Sequence, residues 1–156
     1  MSEPVPLPPT SSMEAGRRIV LATLAGTAVF TALAVGAAVA PDALALPAAV
    51  VDLALFGLGL AAFAGALVVA AGRSRREELS VAGVFLLTGS APGAVRRLLL
   101  GALVVQTAVA LATAGARPFT PLAFGVLVPT FGLGACGLWA ARHGSFPSKG
   151  ASSPVG

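Results

Sequence analysis

The sequence predicts an all-α integral membrane protein: a bundle of four transmembrane helices with a short cytoplasmic helix or re-entrant segment between the second and third. Three observations predict it. Charge is scarce: 10% of the 156 residues are charged and 56% hydrophobic, with a mean hydropathy of +0.92, against about 25% charged residues in soluble domains. Water could not solvate such a chain, so the bilayer is its solvent. Four uncharged runs are long enough to cross that bilayer. The basic residues, finally, are placed with a strong bias to one side.

The elements follow in order. Residues 1–16, MSEPVPLPPTSSMEAG, hold four prolines among small polar residues and are expected to form a disordered N-terminal tail. Residues 17–142 form the transmembrane domain. Arg17 and Arg18 precede an uncharged run at 19–40. At about 1.5 Å per residue this run reaches about 33 Å, enough for a hydrocarbon core about 30 Å thick. Pro41-Asp42 closes it, and PDALALPAAVVD is expected to be a short outer turn, its end open to being helical already. The second span is expected at 53–71, ended by Arg73, Arg75 and Arg76. The third runs from 98 to about 115. Arg117-Pro118-Phe119-Thr120-Pro121 is a stiff turn, because each proline disfavours helix at the residue before it. The fourth spans 122–141 and stops at Arg142-His143-Gly144. Residues 143–156 are expected to be a disordered C-terminal tail.

The run at 79–95, with seventeen uncharged residues, is the ambiguous one. If it stays on one side and the N-terminus is cytoplasmic, the inside holds Arg17, Arg18, Arg73, Arg75, Arg76, Arg96, Arg97, Arg142 and Lys149, against Arg117 outside. If it crosses, the bias nearly vanishes. The positive-inside rule therefore selects four spans with both termini cytoplasmic. Residues 79–91 are then a short helix against the cytoplasmic ends of the spans, or a shallow re-entrant segment, with Glu77 and Glu78 in its first turn near the positive end of the helix dipole.

Small residues mark where helices in lipid approach closely. Gly57, Ala61 and Gly65 in span two, and Ala28, Ala32, Gly36 and Ala40 in span one, are expected to form the seam between those spans. Pro129 should kink or widen span four, with Gly132 and Gly134 adding pliancy.

Chemistry is thin. The one Cys excludes an intrachain disulfide, and there is no Tyr, no Asn and a single His. A net charge of +4 and a pI near 11.1 reflect cytoplasmic loops rather than nucleic-acid binding. Asp52 is expected at the outer edge of span two as an N-cap, in preference to proton or ion coupling. Arg117, the only outer basic residue, is expected to pair with Asp42 or Asp52. Gln106 and Thr107 at mid-depth, and Thr113 nearer the outside, should hydrogen-bond to a neighbouring helix or, for the threonines, to their own backbone. Cys136 reads as a small apolar filler, His143 as an interfacial residue with no second metal ligand nearby, and Trp139 and Phe146 as an aromatic belt. No GxSxG, HExxH or phosphate loop occurs. No catalytic, cofactor-binding or metal-ligating residue is therefore assigned, and no cofactor. Ala38-Val39-Ala40 after the first apolar run imitates a signal-peptidase site, but the run exceeds the 7–15 residues of a signal-peptide core, and Pro41 would follow the cut.

The stretch ARPFTPLAFGVLVPTFGLGACGLWAARHGSFP resembles the C-terminal part of small four-span integral membrane proteins of high-GC actinobacteria, and SRREELSVAGVFLLTGSAP resembles their central cytoplasmic loop. The resemblance covers about half the chain. It implies a multi-pass protein of the bacterial cytoplasmic membrane; it implies no activity and no site residues. The function expected is a non-enzymatic accessory or assembly component that meets the lipid bilayer and other membrane proteins or itself. The alternative is a small transporter or channel subunit. Small four-span multidrug exporters depend on an acidic residue in the first span, and residues 19–40 contain none. A membrane enzyme is disfavoured because no acid–base pair is visible.

Overall fold

The computed structural model describes residues 10–116 and 118–149. Helix α1 runs Thr10–Val39, α2 Pro41–Arg73, α3 Val81–Phe85 and α4 Gly93–Ala116; a 3-10 helix at Pro121–Leu127 leads into α5, Pro129–His143. Four helical stretches are long and apolar enough to cross a membrane: Gly16–Val39, Pro41–Arg73, Gly93–Ala116 and Pro121–His143. The described residues contain no strand, only an isolated bridge between Glu77 and Ser148. The protein is an all-α, four-helix membrane bundle.

The outer turn expected at 41–52 is helix instead. Ala40 alone separates α1 from α2 and caps α2 with no side-chain hydrogen bond. Pro41 stands at the helix start, where its fixed φ suits the first turn and its missing N–H costs nothing. Backbone polar groups beside lipid must be satisfied internally, so an apolar segment with few turn residues closes into helix, even across Pro47. At 33 residues, α2 measures about 50 Å and must tilt or protrude from a core about 30 Å thick.

Of the seam expected between the Ala28/Ala32/Gly36/Ala40 and Gly57/Ala61/Gly65 stripes, Gly36 does meet α2, at Leu44, whereas Gly65 lies against Leu138 of α5. Ala28, Ala32 and Ala61 are exposed, and a Cβ on Gly57 would meet nothing within 4 Å. The helices α1 and α2 also meet through Gly26 against Leu55, with Phe30, Ala34, Ala37 and Ala48 buried. Alanine and glycine recur all round these helices, so small stripes cannot choose a face. Burial of the larger Phe30 and Leu55 does. A backbone-to-backbone approach lies elsewhere, between α2 and α5: a Cβ on Gly59 would stand 2.5 Å from Phe131 Cα, and one on Gly134 would clash with the Gly59 carbonyl.

Residues 79–91 enter and leave at the same end of the bundle. Ser80 Oγ caps α3 by accepting the Gly83 N–H at 2.9 Å, and Ser90 Oγ donates to Gly83 O at 2.6 Å. Leu87, in the left-handed region at φ 55°, swings fully buried into a cluster with Val20, Leu99, Cys136, Trp139 and Ala140. Phe85 stacks on Phe63 at 4.8 Å. The segment is a short helix with a shallow hook that plugs the helix ends. Glu77 and Glu78 precede α3 rather than starting it. Glu77 pairs with Arg73 and the Glu78 N–H donates to Pro147 O at 2.8 Å.

Of the expected tails, residues 1–9 and 150–156 lie outside the described residues, and the rest is folded. Residues 10–16 already belong to α1. After α5 the chain is tied back: Ser145 N–H to Ser90 O, Lys149 N–H to Arg76 O and Lys149 Nζ to Ser74 O. These backbone groups emerge beside unpaired partners of the 74–90 segment, and pairing them outweighs the chain's polar composition. Trp139, expected in an interfacial belt, is buried in the core cluster. The ends of α2 and α5 and the starts of α1 and α4 gather here with Arg17, Arg18, Arg73, Arg75, Arg76, Arg96, Arg97, Arg142 and Lys149. We call it the arginine-rich end.

Candidate functional site

Two polar groups lie buried among the spans. The first is Gln106 on α4, fully buried. Its Nε2 donates to Thr27 Oγ1 on α1 at 2.7 Å, and its Oε1 accepts the Gly132 N–H of α5 at 3.1 Å. Thr27 in turn donates to Thr23 O at 2.8 Å. Gly132 N–H is available because the Val128 carbonyl, its partner in a regular α-helix, already accepts the Phe131 N–H at 2.8 Å in 3-10 register. Pro129 thus does more than kink span four. Its absent N–H breaks the span into a 3-10 half and an α half, with the Gly125 carbonyl accepting from Val128 N–H in 3-10 register. Gln106 then caps the new helix start inside the membrane. A Cβ on Gly132 would sit 2.6 Å from Gln106 Oε1, so glycine is what admits the amide. Thr27 lies nine residues beyond Arg18, and Gln106 nine beyond Arg97. Both therefore stand about 13 Å from the arginine level, near the middle of a core about 30 Å thick. Thr107 and Thr113 bond to their own helix, at Leu103 O and Val109 O.

The second is Asp52. It is not an N-cap: it sits inside α2, eleven residues past its start, and is 3% exposed. A Cβ on Gly125 would stand 3.6 Å from Asp52 Oδ2 and 3.4 Å from the Phe30 ring, so the carboxyl faces the 3-10 half of span four beside an aromatic edge. No described residue gives it a hydrogen bond or an ion pair. Arg117, the partner expected from sequence, lies outside the described residues, and Asp42 is exposed.

At the arginine-rich end Arg73 forms a clamp that spacing along the chain gave no sign of. Its guanidinium donates to Ala141 O at 2.8 Å and Gly144 O at 2.9 Å, satisfying carbonyls at the end of α5. It also pairs with Glu77 Oε2 at 2.6 Å and lies 5.1 Å from the Phe146 ring centre. Cys136 is buried in the adjoining cluster. His143 tilts against Trp139 at 5.8 Å, with its Nε2 buried and unpaired. Among the described residues no three His, Cys, Asp or Glu side chains converge as a metal site would require.

On the lateral surface, α1 and α4 border a groove of about 610 Å³. Ala28, Thr31, Ala32, Gly101 and Val105 line it, and Thr31 Oγ1 is a buried hydroxyl with no partner.

No protein-family model, no curated protein and no solved structure matches the chain.

Proposed function

We propose that the protein is a non-enzymatic accessory or assembly component of a bacterial cytoplasmic membrane, with both termini in the cytoplasm. The observation that carries this reading is the α1–α4 groove. Small residues, Ala28, Ala32, Gly101 and Ala102, line it beside Leu24 and Leu98, and the buried, unpartnered hydroxyl of Thr31 adjoins it. Helices associate in lipid through such surfaces, where backbones approach closely and hydroxyls find a partner. The arginine-rich end supports the threading, because arginines resist translocation. The test is purification of the tagged protein in mild detergent, beside a Gly101→Leu variant that fills the groove. A membrane protein, or a second copy, that accompanies the wild type and not the variant is expected. A clean monomer from both would remove the reading.

A second reading, a small transporter or channel subunit, is favoured by the burial of Asp52, since ionisable groups within spans mark ion and substrate paths. Ion flux in proteoliposomes that disappears in Asp52→Asn would select it.

A further inference from the structure

We propose that Asp52 is a binding site for a small cation, either a proton or an alkali metal ion, in the half of the bundle away from the arginine-rich end. The inference holds whether the protein assembles with others or carries a solute, so neither reading's failure touches it.

Asp52 is 3% exposed as a residue, and its carboxyl lies beside Gly125 and the Phe30 ring. An uncompensated buried charge costs several kcal/mol even after relaxation, and lipid offers no water to offset it. Compensation must come from a residue or from a bound cation. The described residues do not supply it. On α1 the charged groups are Glu14, Arg17 and Arg18; on α4 they are Arg96 and Arg97; on α5 the ionisable groups are Cys136, Arg142 and His143. All lie toward the opposite end. The 3-10 helix PLAFGVL carries none. On α2 itself Arg73 is twenty-one residues away, about 31 Å along the axis, and Asp42 is another acid. What the carboxyl does face is Gly125, in a segment held by 3-10 rather than α-helical bonds because Pro129 gives no N–H. Non-α backbone inside a span is where membrane proteins coordinate protons and alkali ions through carbonyls and a nearby carboxylate.

The chain contains two aspartates, Asp42 and Asp52. Carboxyl-¹³C aspartate incorporated into an Asp42→Asn protein therefore makes Asp52 the sole labelled side-chain carboxyl without altering it. Infrared spectra of this full-length protein in lipid nanodiscs at pH 7, in choline buffer and then with sodium or potassium chloride, read the site directly. A labelled C=O band of a carboxylic acid identifies the proton as the occupant. A labelled carboxylate band that moves on adding sodium or potassium, and not choline, identifies the metal ion. A carboxylate band indifferent to all three overturns the proposal. Adding Arg117→Gln to that protein then shows whether an internal arginine had been its partner, because the indifferent band would change in that variant.

Discussion

Gln106 shows how much one side chain can hold together in lipid. It is the chain's only Gln, and its amide joins three spans by donating to α1 and accepting from α5. Single hydrogen bonds between membrane helices average about 0.6 kcal/mol. Gln106→Leu should cost more, about 1–3 kcal/mol, because it also strands the buried Gly132 amide. Thr27→Val should cost about 0.6 kcal/mol. Unfolding in mixed micelles would measure both, and the double variant should lose less than the two single losses combined, since both remove the same bond. Equal additivity would mean that the two side chains are not coupled. That Gln106 is a mid-depth polar residue can be read along the chain. Its partner Thr27 lies seventy-nine positions away and leaves no local trace. Asp52 is a different case. Dividing the chain at every charge makes any acid a span boundary, which puts Asp52 at a helix start and hides that it is buried in a helix interior.

At the scale of elements, glycine placement decides which helices touch. The α2–α5 pair packs backbone to backbone at Gly59 and Gly134. Gly134→Ala should destabilise the protein by about 1–3 kcal/mol, since its methyl meets a carbonyl that can retreat only by moving the helix. Gly57→Ala, on the same helix as Gly59 but facing open space, should be neutral or slightly stabilising through better helix propensity. Thermal unfolding in detergent compares them, and equal losses would refute this interface. The 57/61/65 spacing advertises a seam as plainly as residue 59 does, so composition cannot choose between them. The break in span four is the opposite case: Pro129 announces it, and the 3-10 stretch before it is the physical consequence of one missing donor.

For the whole molecule, the decisive feature is that all nine Lys and Arg among the described residues gather at one end. The α3 hook and residues 144–149 are laced together there by Ser145–Ser90 and Lys149–Arg76 hydrogen bonds. Reporters fused after Gly89 and at Gly156 should therefore both be active in the cytosol, and a cysteine placed at Asp42 in a Cys136→Ala background should react with impermeant reagents from outside. A reporter facing outward at either fused position would overturn the threading.

The apolar character of the surroundings and the number of spans are legible along the chain, because they depend on sums: apolar length against bilayer thickness. The helix faces, the mid-membrane amide hub, the Arg73 clamp and the burial of Asp52 emerge in the fold alone. These depend on how helices rotate against one another, and in a chain of interchangeable alanines and glycines that rotation is set by a few large side chains and close backbone contacts between residues far apart in sequence.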